Sequence, residues 1–180
     1  MTARLKKTVV MVGMMGAGKS AVGKELARLL KVPFLDSDAE IERAANASIA
    51  EIFARDGEGF FRTKEAQVIA RLLDGEPCVL SVGGGAFLRA DTRERISALG
   101  VSVWLKADLE TLWQRVRRKD TRPLLRTSNP RQTLADLMAT REPAYAQADL
   151  IVPSTADYAI ETTAEKVAEA LAGRADVLQP

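Results

Sequence analysis

The chain contains no histidine. A histidine base, a histidine partner for a nucleophile and a histidine metal ligand are all excluded. It has a single cysteine, Cys78, so neither an internal disulfide nor a multi-cysteine zinc site can form. That usage fits a reducing compartment. An excess of one charge is also missing: 26 basic residues stand against 24 acidic ones, a net charge of +2. Such a balance gives no drive toward nucleic acid. The apolar run Val9 to Val12 stops at Gly13, too short for a membrane span and without the layout of a signal peptide. The expectation is a cytoplasmic protein with no membrane or nucleic-acid partner. No internal repeat, low-complexity tract or linker divides the 180 residues, which suit one domain over 1–180.

What is present alternates. Strands are expected at Thr8–Val12, Val32–Leu35, Val79–Val82, Val101–Leu105 and Leu150–Val152. Between them, helical spacing marks Lys19–Leu30, Ala39–Ala45, Ser48–Arg55, Phe61–Leu73, Asp91–Ala98, Leu109–Arg118, Thr133–Gln147 and Ala159–Leu171. Asp38 is a candidate cap for the second of these helices, and Pro143 is expected to kink or divide the one it lies in. Thr121–Arg131, with Pro123, Ser128, Asn129 and Pro130, reads as a loop, and Gly173–Pro180 as a frayed tail. Alternation of this kind predicts an α/β, three-layer fold: a parallel sheet with helices on both faces.

The segment Gly13-Met14-Met15-Gly16-Ala17-Gly18-Lys19-Ser20 matches G-x-x-x-x-G-K-[ST], follows a strand and opens a helix. Glycines let the backbone curl so that its N–H groups point at phosphate oxygens. The helix start, with Ala21 in its first turn, favours negative charge. Lys19 is expected to reach the β- and γ-phosphates of a nucleotide and Ser20 to ligate Mg²⁺. Phosphoryl transfer is mostly positioning and charge stabilisation, so it tolerates the absence of histidine.

Asp36-Ser37-Asp38 ends the second strand and Gly83-Gly84-Gly85 the third, both at the edge where open parallel sheets bind ligands. The third strand carries no acid, so Asp36 is the better candidate to support the metal. The alternatives are a polar loop and a flexible turn. Arg62, Arg115, Arg122 and Arg141 stand out by position. Arginine beside proline in a loop suits a clamp on phosphate.

Together these residues resemble the shikimate kinases. The resemblance rests on the phosphate loop, Phe34-Leu35-Asp36-Ser37-Asp38, Ile49 to Phe53, Gly57-Glu58 through Phe61-Arg62, Gly83 to Ala86, Arg122-Pro123-Leu124-Leu125, and Arg141 to Tyr145, in that order. It implies a P-loop fold with a five-stranded parallel sheet, a substrate-binding helical region over about 38–73 and a lid over about 119–131. It implies ATP-dependent phosphorylation of shikimate at the 3-hydroxyl. Asp38 would hold ring hydroxyls, Arg62 and Arg141 the carboxylate, and Gly83, Gly84 and Gly85 would line the acceptor site. Gly13, Gly16, Ala17, Gly18, Lys19, Ser20, Ala21, Arg115 and Arg122 would hold the nucleotide, with Ser20 and Asp36 on Mg²⁺. Lys19, Asp38 and Arg122 form the implied catalytic set.

The chain departs from the family in one place. The stretch Pro153 to Tyr158 lacks the arginine often found near the adenine, so backbone or Tyr158 stacking would serve instead. The chain is expected to act as a monomer. The rival readings are a gluconate-type P-loop kinase, a nucleotide-dependent switch and an inactive scaffold. A guanine switch would need an Asn-Lys-x-Asp element, which is absent, and Lys19, Ser20, Asp36 and Asp38 are intact.

Overall fold

The computed structural model describes residues 3–118 and 125–180. Its strands are β1 (Arg4–Leu5), β2 (Thr8–Val12), β3 (Phe34–Asp36), β4 (Val79–Ser81), β5 (Gly100–Lys106), β6 (Leu150–Pro153) and β7 (Leu178–Gln179). Five of them form one parallel sheet in the order β3-β4-β2-β5-β6. Successive side chains of a strand point to opposite faces. Yet Val9, Val10, Met11 and Val12 on the central strand are each no more than 1% exposed. Both faces are therefore covered, as a parallel sheet requires.

The covering helices are α1 (Lys19–Leu30), α2 (Ser37–Ala45), α3 (Ile49–Leu73), α4 (Ala90–Leu99), α5 (Leu109–Val116), α6 (Pro130–Tyr145) and α7 (Ile160–Ala172). α1 packs on α7 and on β3 and β4; α4 packs on β5 and α3. Ile41, Ile52, Phe61 and Val68 make a second, smaller core between α2 and α3. The region expected to bind the acceptor thus has apolar packing of its own. α3 is broken at Gly57 (φ 85°, ψ 172°), which reconciles it with the two helices expected on either side.

Four expectations are corrected. Asp36, not Asp38, caps α2: its Oδ1 accepts from the N–H groups of Asp38 (2.9 Å) and Ala39 (3.4 Å). The helix starts two residues earlier than the sequence suggests, and the Asp38 carboxylate is released from capping. The C-terminal tail is not frayed. β7 pairs antiparallel with β1, and Val177 and Leu178 are buried. α6 begins at Pro130, capped by Asn129, whose side chain accepts from Gln132 N–H. It also continues through Pro143 to Tyr145, so the proline does not divide it. Leu125, within the segment expected to form a lid, is buried in the main core. Residues 119–124, with Arg122, lie outside the described residues.

Candidate active site

The carboxyl ends of β2, β3 and β4 open into a cleft of 2140 Å³. The loop after β2 forms one wall. Gly16 sits at φ 83°, where side chains are strained, and a Cβ there would come 2.7 Å from Val116 Cγ1. Lys19 Nζ donates to the Gly13 carbonyl at 2.6 Å, which fixes the ammonium over the curled loop. α1 has no acidic residue in its first turn and no side-chain cap at Gly18. Its leading N–H groups and positive dipole end are thus suited to an anion.

Arg115 clasps this loop from outside. It donates to Gly16 O (3.0 Å), Ser154 Oγ (3.2 Å) and Thr155 O (3.2 Å), and Ser154 Oγ donates to Ala17 O at 2.8 Å. The phosphate loop, α5 and the turn after β6 are tied together through one guanidinium. Ala21 and Tyr158 line the same cleft.

Asp36 serves two tasks with its two oxygens. While Oδ1 caps α2, Oδ2 accepts from Ser20 Oγ at 3.5 Å. Ser20 and Asp36 therefore offer two adjacent hard oxygen donors beside the phosphate loop. That set suits Mg²⁺, which takes one or two protein oxygens and completes its shell with phosphate and water.

Asp38, in the first turn of α2, faces a second carboxylate, Glu65. An added Cβ at Gly83 would lie 3.4 Å from both Asp38 Oδ1 and Glu65 Oε2. Burial, and then the charge of Asp36, raises the Asp38 carboxyl above its ordinary range; Lys19 and Arg62 oppose this. Burial likewise raises Glu65, against the pull of Arg62. Glu65 Oε1 accepts from Arg62 at 2.8 Å, whereas among the described residues its buried Oε2 has no hydrogen-bond partner.

Each glycine of the triple run is the floor beneath charged side chains. Gly83 lies under Asp38 and Glu65; a Cβ at Gly84 would meet Arg141 Nη1 at 2.6 Å, and one at Gly85 would meet Arg62 Nη2 at 2.5 Å. Arg141 is 7% exposed, and among the described residues no carboxylate lies within ion-pairing distance of it. A buried cation without an ion-pair partner is expensive, and at the cleft such a cation suits an anion.

The structure thus brings together every site residue read from the sequence that it describes. Sequence reasoning missed Glu65, Ser154 and Tyr145. The spacing of Glu65, three residues after Arg62 on a helix, was a usable signal. The other two were silent, since their partners are distant in sequence.

The family model for shikimate kinase matches residues 15–172. The chain belongs to the shikimate kinase family. It is 69% identical over 177 residues to the shikimate kinase of Cereibacter sphaeroides, covering 98% of this chain and 88% of that one. It is 66% identical over 177 residues to the shikimate kinase of Ruegeria pomeroyi, covering 98% and 91%. Its fold matches the shikimate kinase from Acinetobacter baumannii in complex with shikimate, with a TM-score of 0.86 and 40% identity over 93% of each chain. A gluconokinase from Sinorhizobium meliloti, at 23% identity and a TM-score of 0.60, shares the fold alone.

Proposed function

We propose that this chain transfers the γ-phosphoryl group of ATP to the 3-hydroxyl of shikimate, giving 3-phosphoshikimate and ADP. The observation that carries the reading is Arg141, buried without an ion-pair partner among the described residues, next to Arg62 and to the Asp38–Glu65 carboxylates. An acceptor that joins one carboxylate to several hydroxyls satisfies both halves of this arrangement. The forked guanidinium groups of Arg62 and Arg141 bind the carboxylate. Asp38 accepts hydrogen bonds from the ring hydroxyls and holds the reacting oxygen toward the phosphate loop. The backbone of the triple-glycine turn lies close to the ring because no side chain intervenes.

The nucleotide phosphates lie in the Gly13–Ala21 loop, with Lys19 on the β- and γ-phosphates and Arg115 bracing the loop. The acceptor oxygen forms a bond to the γ-phosphorus as the bond from that phosphorus to the β–γ bridging oxygen breaks. The hydroxyl proton passes to Asp38 or to water, and ADP leaves. A loose transition state asks little of a base, so Asp38 acts chiefly by orientation. Ser20 and Asp36 would hold Mg²⁺, which would supply neutralising charge to the nucleotide phosphates. Arg122, outside the described residues, is assigned by the resemblance to charge stabilisation on the transferring phosphate. Tyr158 offers a stacking surface for the adenine. The enzyme works as a monomer in the cytoplasm; among the described residues no helix is long and apolar enough to cross a membrane.

A coupled ADP-release assay with ATP and Mg²⁺ tests the reading across shikimate, gluconate, quinate and nucleoside monophosphates. Turnover with shikimate well above the other acceptors is expected. Activity on another acceptor without shikimate turnover would retire the substrate assignment.

A further inference from the structure

Tyr145 is fully buried. Its ring packs in the main core against Trp104, with ring centroids 5.8 Å apart. A phenyl group would fill that space equally well, so the informative atom is the hydroxyl. It donates to the Gly84 carbonyl at 2.5 Å, the Arg141 guanidinium lies against it, and Met14 Sδ of the phosphate loop is 4.0 Å away. Three elements of the cleft therefore meet at one oxygen: the triple-glycine turn, α6 and the phosphate loop.

Helical spacing explains why one residue can do this. Arg141 and Tyr145 are four apart on α6, so they share a face. Both are directed at Gly84: a Cβ there would lie 2.6 Å from Arg141 Nη1 and 3.5 Å from the Tyr145 hydroxyl. The hydroxyl fixes the carbonyl of the Gly84–Gly85 peptide. The peptide is trans, which turns its N–H away from Tyr145. Burial pushes the phenol up to about 12, so it remains a donor at any working pH.

We propose that Tyr145 is a positioning residue for the acceptor: a post rooted in the core whose hydroxyl sets the Gly84 peptide and the Arg141 guanidinium in register to receive the acceptor's carboxylate end. This rests on the reading of Arg141 as the carboxylate's partner. The hydroxyl touches no reacting atom, and its contact with the phosphate loop is only the 4.0 Å approach to Met14 Sδ, so its loss acts mainly on acceptor binding.

Tyr145→Phe tests this beside the wild type, with KM for acceptor, KM for ATP, kcat and melting temperature measured for both. One net hydrogen bond at this strength corresponds to about a three- to tenfold effect. The shikimate KM should rise by that factor, with the ATP KM within twofold and the fold intact by circular dichroism. Saturating shikimate should raise the melting temperature less in the variant than in the wild type, while saturating ATP raises both equally. An unchanged shikimate KM, or an equal rise in both KM values, overturns the proposal. Wild-type turnover with shikimate separately tests the underlying reading. If the wild type instead phosphorylates another hydroxy acid, the same constants for that acid decide the role of Tyr145.

Discussion

Arg62 donates to Glu65 at 2.8 Å across one turn of α3, and that pairing separates it from Arg141, which has no such carboxylate among the described residues. The two arginines proposed for the acceptor carboxylate therefore differ in electrostatic state. Arg62 is held in an ion pair before substrate arrives, whereas Glu65 acts on Arg141 only at longer range.

Removing either guanidinium should weaken shikimate binding and spare ATP. A charge-assisted hydrogen bond is worth about 1.5–3 kcal/mol, or roughly 10- to 150-fold. Arg141→Ala should lie at the upper end of that range and Arg62→Ala at the lower. Steady-state KM values for both substrates check this; an equal loss of ATP affinity contradicts the assignment.

Arg62→Ala carries a second effect, because it leaves Glu65, 4% exposed at its side chain, without its cation. Stability should fall by about 1–2 kcal/mol, as expected for an unpaired buried group. Adding Glu65→Gln should recover much of that melting temperature without recovering shikimate affinity. Recovery of both would mean that Arg62 acts only through Glu65.

Asp38 gives a pH signature. Its carboxyl is raised in the folded state, so the folded protein holds that proton more tightly than the unfolded chain. Its stability contribution is fully present below the ordinary carboxylate range, near 4, and is lost as pH rises through the folded value. Asp38→Asn removes the penalty. It should melt higher than wild type at pH 7–8, by a margin that shrinks as pH falls toward 4, while losing activity. A margin independent of pH contradicts the burial argument.

Asp36 combines a cap with a metal task, and the two can be parted. Asp36→Asn keeps an oxygen to accept from Asp38 and Ala39 N–H, so it should cost little stability but raise the Mg²⁺ concentration needed for turnover. Asp36→Ala should show that same defect plus about 1 kcal/mol of lost capping. Mg²⁺ titrations and thermal melts distinguish them. Equal Mg²⁺ requirements in Asp36→Asn and wild type would remove Asp36 from the metal.

Lys19→Ala should lower kcat by at least about 10²- to 10³-fold, the loss typical of one preorganised charge-stabilising donor, with the fold unchanged by circular dichroism. Near-normal turnover in that variant would overturn the role given to Lys19.

The phosphate loop and the alternation of strands and helices were legible because both are local patterns. The division of α3 was legible too, as two helical stretches on either side of 56–60, although its exact place at Gly57 was not. The helix cap was misread because Asp36 and Asp38 are chemically equivalent caps two residues apart, and only the backbone decides between them. The tail was misread because Val177 and Leu178 show no periodicity and their strand partner, Arg4–Leu5, is at the other end of the chain. Tyr145 was invisible for the same reason: its acceptor, Gly84, is 61 residues away. Arg141 and Arg62 stood out by position, and their carboxylate role came from the resemblance. What the structure added was the contrast between them and the carboxylate that causes it.

The most direct test of the account is phosphorus and proton NMR of the product formed from shikimate, ATP and Mg²⁺. The account predicts ADP and one phosphomonoester, attached at the 3-hydroxyl and absent when shikimate is omitted. A phosphoester at another ring position, or ADP released without any phosphorylated shikimate, would contradict it.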